Sequence, residues 1–171
     1  MSFPFAPSTP TLAEGAAEPR QRRIALICAK GGLDECYPVL IMANAARMSG
    51  IDVSVFFTFY GLDVITEARV DKLYVNMVGN PSSPIPPAVA GLPGMETLAT
   101  SFMRKKMDEL ELPRAREMVT MLSESGCKLY ACELAMDMMQ IDKADLVPWV
   151  NDVITAGDFY DLSEGAQVVF T

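Results

Sequence analysis

Cys127-Lys128-Leu129-Tyr130-Ala131-Cys132-Glu133-Leu134-Ala135-Met136-Asp137-Met138-Met139 changes character at its middle. The first half is short, apolar and aromatic, as in a strand. The second half consists of good helix formers. Cys132 stands at the change-over, so its thiol is expected at the carboxyl end of a strand and beside the first turn of a helix. N–H groups at a helix start stabilise negative charge and favour a thiolate. Nucleophilic sulfur chemistry needs such a thiolate at a fixed place. Two readings stand side by side: Cys132 is a reactive thiol, or it is one more small apolar residue of the core, as most free cysteines are. Glu133 weighs against the first, because an adjacent carboxylate disfavours a thiolate.

Upstream, Ile24-Ala25-Leu26-Ile27-Cys28-Ala29 is an unbroken apolar run, as in a strand buried on both faces of a parallel sheet. Lys30-Gly31-Gly32 makes a tight turn, and Asp34 or Glu35 is expected to cap a helix that tolerates Pro38 in its first turn. Tyr37, Leu40, Ile41, Ala45 and Met48 recur at helical spacing as its core face, and Gly50 ends it. Ile51 to Phe59 is a second strand with Val53, Val55 and Phe57 alternating, and Leu62 to Ala68 makes a short helix. Residues 72–95 then carry five prolines among many apolar side chains. A loop of that length and apolarity is expected to pack on a neighbouring subunit, a partner or the mouth of the site. Glu96 to Leu110 is a helix whose Met103-Arg104-Lys105-Lys106-Met107 stretch reads as a solvated basic face, with contact to a lipid surface as the alternative. Pro113 opens another helix, with Ala115, Met118, Val119 and Leu122 as its stripe. Downstream of Cys132 a further strand lies within Asp142–Ile154, a short helix covers Ala156–Glu164, and Gln167-Val168-Val169-Phe170 closes the sheet.

The order strand, helix, strand, helix predicts an α/β fold: a doubly wound, mostly parallel five-stranded sheet with helices on both faces, flavodoxin- or Rossmann-like. Residues 1–22 read as a flexible Pro/Ala/Ser/Thr-rich arm, and residues 23–171 as a single domain. With strand order 2-1-3-4-5, the ligand crevice lies between the first strand and the Cys127–Cys132 strand. It would be walled by Lys30, Gly31 and Gly32 on one side and Cys132 on the other. Cys36, early in the first helix, is a second thiol expected to face it, with Lys30 as the cation. Lys30-Gly31-Gly32 alternatively reads as a phosphate loop, although it lacks both GxGxxG and GxxxxGK[ST].

Composition bounds the chemistry. A net charge of −8 argues against nucleic-acid binding, which depends on neutralising phosphates. There is no histidine, so the usual general base and the commonest metal ligand are missing. The four cysteines show no CxxC spacing, so no metal site is expected. No cofactor is called for. Without an apolar leader or a run of about 20 apolar residues, a cytoplasmic location with reduced thiols is expected.

Four stretches together resemble a known family. They are Lys30-Gly31-Gly32-Leu33-Asp34 with Tyr37-Pro38, and Phe56-Phe57-Thr58-Phe59-Tyr60-Gly61-Leu62. Gly79-Asn80-Pro81 follows, with the loop through Leu92-Pro93-Gly94-Met95, and then Lys128-Leu129-Tyr130-Ala131-Cys132 with Asp137. The chain resembles the DsrE/DsrF-like sulfur-transfer family, within it the longer DsrE-like subgroup sometimes labelled peroxiredoxin-like. The resemblance implies a mostly parallel α/β fold, a homo-oligomer, and a Cys132 that carries sulfane sulfur as a persulfide. It implies exchange with TusA-type sulfur carrier proteins and, for parts of the subgroup, membrane association. Cys28, Cys36 and Cys127 fall outside the pattern. Ile154-Thr155-Ala156-Gly157-Asp158 stands where the family often has a Gly-Gly-Ala-Ala-like turn.

The expected function is a cysteine-persulfide sulfur carrier or sulfurtransferase with Cys132 as acceptor and donor. Whether it acts as a carrier or as an enzyme stays open at this stage. The alternatives are a non-enzymatic assembly or adaptor protein, and a small-molecule binder at Lys30-Gly31-Gly32. A thiol peroxidase ranks below these, since Leu129-Tyr130-Ala131 lacks the Thr-x-x-Cys arrangement.

Overall fold

The computed structural model describes residues 22–77, 87–90 and 92–171. The predicted arm lies almost wholly outside these residues, as does most of the proline-rich part of the 72–95 loop. Five strands form one sheet: β1 (Arg23–Cys28), β2 (Asp52–Phe57), β3 (Lys128–Cys132), β4 (Asp152–Ile154) and β5 (Gln167–Phe170). Every pairing is parallel. The helices are α1 (Leu33–Met48), α2 (Pro87–Ala90), α3 (Met95–Glu109), α4 (Ala115–Glu124), α5 (Glu133–Met139) and α6 (Ala156–Leu162). The predicted α/β class holds.

The strand order is β4-β3-β2-β1-β5, which corrects the expected 2-1-3-4-5. Each of the first three crossovers steps one strand in the same direction. The last runs from β4 back to the far edge, beside β1. A right-handed crossover in the reverse direction must lay its helix on the opposite face. Accordingly α1 and α4 pack together on one side, while Phe159 of α6 stacks on Phe56 at 4.8 Å on the other. Phe56 alternates with Val55 and Phe57, which face α1 and α4, so β2 is buried on both sides. Burying a ring such as Phe57 is worth about 1.5–3 kcal/mol.

Three local expectations are also corrected. The buried face of α1 is Cys36, Tyr37, Val39, Leu40, Ala43 and Ala46, whereas Ile41 and Met48 are exposed. The run Val39-Leu40-Ile41-Met42 is apolar all round the helix, so spacing alone does not select a face. Gly32, not Asp34 or Glu35, precedes α1. Asp34 instead accepts the Asn76 N–H at 3.0 Å, and Glu35 pairs with Lys30. The predicted helix at Leu62–Ala68 is a 3₁₀ segment shifted to Phe59–Ile65.

Candidate functional site

Cys132 is the last residue of β3 and the N-cap residue of α5, with extended backbone (φ −77°, ψ 116°). The reading of the change-over therefore holds at the level of the backbone. Helix-start N–H groups have no intrahelical acceptor, so they are oriented toward whatever sits at this corner. Cys132 is paired with Ile154 of β4 and is 8% exposed. Around it α5 presents Leu134 and Met138 to solvent, together with Glu133 and Asp137.

The other three cysteines are buried as well. Burial pushes Cys28 up to about 12, against a hydrogen bond from its Sγ to the Lys30 carbonyl at 3.5 Å. Burial likewise raises Cys36, with the neighbouring Cys28 adding to the effect, and its Sγ donates to the Leu33 carbonyl at 3.6 Å. Burial pushes Cys127 up to about 12, with Arg47 and Lys128 partly opposing it. All four cysteines are free.

The expected crevice of three thiols does not form. β2 lies between β1 and β3, so Cys28 and Cys132 stand two strands apart, roughly 10 Å. Register adds a second separation. Cys28, Phe57 and Ala131 are aligned across the sheet and share a face, so Cys132, one residue on, belongs to the opposite face. Cys36, wholly buried, lies near Cys28 and not near Cys132.

Lys30, Gly31 and Gly32 line a separate open pocket of about 850 Å³, with Tyr60, Arg69 and Tyr74 among its other walls. Cys132 does not line it. Lys30 Nζ is 3.3 Å from Glu35 Oε1, so the cation expected beside the thiol is engaged by a carboxylate. A Cβ on Gly31 would lie 2.3 Å from the Tyr60 carbonyl oxygen, which explains glycine at that turn. Among the described residues no three His, Cys, Asp or Glu side chains converge as metal ligands. The basic stretch of α3 is split: Arg104 donates to the Asp71 and Leu73 carbonyls, Lys105 is exposed, and Lys106 Nζ lies 5.6 Å from the centroid of the exposed Phe102 ring.

One buried polar residue at the carboxyl end of the sheet drew no separate reading from the sequence. Thr58 follows the last residue of β2 and is as buried as Cys132, at 8%. It lies inside the Phe56–Leu62 stretch already singled out.

Comparison with known proteins agrees with the fold. A profile of the DsrE/DsrF/DrsH-like family matches residues 20–170. The chain belongs to this family. The sulfur carrier protein DsrE2 of Allochromatium vinosum is 33% identical over 156 residues, spanning 86% of this chain and 96% of that one. The uncharacterized protein YrkE of Bacillus subtilis is 23% identical over 157 residues, spanning 87% and 96%. Among solved structures, the ychN protein from E. coli has the same fold, with a TM-score of 0.53 at 14% identity over 88% of this chain and 99% of that one. The Thr155–Asp158 segment closes on itself. Thr155 Oγ1 accepts the Asp158 N–H at 3.1 Å, and Asp158 accepts the Thr155 N–H at 2.9 Å, a capping box that starts α6.

Proposed function

We propose that this protein relays sulfane sulfur, with Cys132 as the persulfide-forming acceptor and donor. The observation that carries the reading is the place of Cys132 at the carboxyl end of β3 and the head of α5. Kinship with a relative named as a sulfur carrier supports it.

In the step, the Cys132 thiolate attacks the outer sulfur of a donor persulfide, R–S–SH. A bond forms between Cys132 Sγ and that sulfur as the donor S–S bond breaks, and the electron pair leaves on R–S⁻. The product is Cys132–S–SH. An acceptor thiolate reverses the event at a second protein. The exchange is redox-neutral, so it calls for no metal, nucleotide or histidine.

The natural partner is a small carrier protein bearing its own reactive cysteine, of the TusA type. The exposed Leu134 and Met138 beside Cys132 are a docking rim of the adaptable kind. Self-association into a homo-oligomer is supported by Val168 and Phe170, exposed on edge strand β5. A cytoplasmic location suits a free thiolate. No helix among the described residues is long and apolar enough to cross a membrane.

The test is single-turnover transfer from a persulfidated carrier protein. Cys132→Ser should block transfer, and Cys36→Ala should not. Transfer that survives loss of Cys132 would overturn the assignment. The open pocket at Lys30, Gly31 and Gly32 favours a second reading, a small-molecule site. A rise in melting temperature with added nucleotide would support it.

A further inference from the structure

The open pocket of about 850 Å³ lies beyond the carboxyl ends of β1 and β2, where open α/β sheets ordinarily take their ligands. Its volume is in the range of small-molecule sites. Two exposed tyrosines, Tyr60 and Tyr74, stand in its wall on fixed backbone. Phe59, with a left-handed φ of 46° that is rare for a bulky residue, turns the chain into Tyr60, and the Tyr60 carbonyl packs on Gly31. Around Tyr74 three hydrogen bonds hold the main chain. Its carbonyl accepts the Leu33 N–H at 2.8 Å, the Val75 N–H goes to buried Thr100 Oγ1 at 2.9 Å, and the Asn76 N–H goes to Asp34 Oδ1 at 3.0 Å.

The charges of the wall select the ligand. A free helix head would favour a phosphate, but the head of α1 is closed. The Leu33 N–H is spent on Tyr74, and the Glu35 and Cys36 N–H groups both go to the Gly32 carbonyl, at 3.0 and 2.9 Å. The Glu35 carboxylate brings negative charge to the same turn. Lys30 is paired with Glu35, and Arg69 with Asp63. Two lining groups of opposite sign are left. The side chains of Lys72 and Glu96 make no hydrogen bond or ion pair among the described residues.

We propose that this pocket binds a small zwitterion, a free α-amino acid or a short peptide, through Lys72 on its carboxylate and Glu96 on its ammonium. Both contacts are charge-assisted hydrogen bonds, and the tyrosine faces add cation–π attraction for the ammonium. A molecule with a single charge satisfies only one of the two. Cys132 does not line the pocket, so the event is binding alone, apart from the sulfur relay. The proposal rests on the reading of this pocket as a small-molecule site.

The experiment uses the full chain. Its melting temperature is followed with each proteinogenic L-amino acid and with a panel of di- and tripeptides at about 10 mM, which stabilises measurably at any Kd below about 1 mM. A stabilising zwitterion is then titrated by calorimetry. Lys72→Ala and Glu96→Gln should each weaken it at least about tenfold, the loss of one hydrogen bond between charged groups. Lys105→Ala, outside the pocket, should leave it unchanged. Acetylating the zwitterion's amine should remove the effect of Glu96→Gln, and amidating its carboxyl should remove that of Lys72→Ala. No stabilisation by any zwitterion, or equal affinity in wild type and both pocket variants, would overturn the proposal. Stabilisation by adenosine monophosphate alone would overturn the zwitterion and keep the small-molecule site. Stabilisation by neither would overturn both.

Discussion

Gly61 lies against Cys28 so closely that a Cβ on it would sit 2.0 Å from the Cys28 carbonyl oxygen. The same carbonyl accepts the Thr58 N–H at 3.0 Å, so this contact fixes the path of the chain out of β2. Gly61→Ala must displace backbone rather than a flexible side chain. We expect a loss of at least about 2 kcal/mol in urea unfolding, within the upper range for overpacking. Wild-type stability in that variant would refute the contact.

Thiol accessibility should separate the four cysteines. Burial pushes Cys28 and Cys127 up to about 12 and raises Cys36 as well, so each is a neutral thiol at pH 8. Brief alkylation of the native protein at pH 8 should mark Cys132 first, and the other three only after denaturant is added. Peptide mapping reads the order directly. Equal labelling of Cys28 and Cys132 under native conditions would contradict it.

A cluster on the rim of the fold sets an acid dependence. Arg116 Nε donates to Asp71 Oδ1 and Oδ2 at 3.0 and 2.9 Å, and its Nη1 is 2.9 Å from Glu67 Oε1. The Arg116 hydrogen bond holds the Asp71 carboxyl below its ordinary value of 3.8. A depressed folded-state value means the stabilisation is complete above about pH 4 and fades as pH falls through the lowered value. Arg116→Met should cost about 0.5–1 kcal/mol at pH 7, since both partners are partly solvated. It should also flatten the decline in stability below pH 4. An unchanged acid limb, measured by urea unfolding across pH 2–7, would refute this pairing.

The elements were largely legible and their arrangement was not. β1 to β3 announce themselves by apolar runs, and the strand-to-helix change at Cys132 by a change of residue type. Strand order depends on which edges meet, which no local pattern in Ile24–Cys28 or Leu129–Cys132 records. That is why Cys36 and Lys30 were expected beside Cys132. α1 failed for a different reason: Val39, Leu40, Ile41 and Met42 cover every side of the helix. The corrected face has a direct check. Leu40→Ala, at a wholly buried site, should cost about 2–5 kcal/mol. Met48→Ala, at an exposed one, should stay within about 0.5 kcal/mol. Equal effects in urea unfolding would restore the face expected from spacing.

The most direct test of the relay is intact-protein mass spectrometry after incubation with polysulfide, on wild type and Cys132→Ser side by side. A persulfide on Cys132 predicts a gain of about 32 Da, one sulfur atom, on the wild type alone, lost on reduction. The same gain on both proteins, or on neither, would contradict the assignment of the sulfur to Cys132.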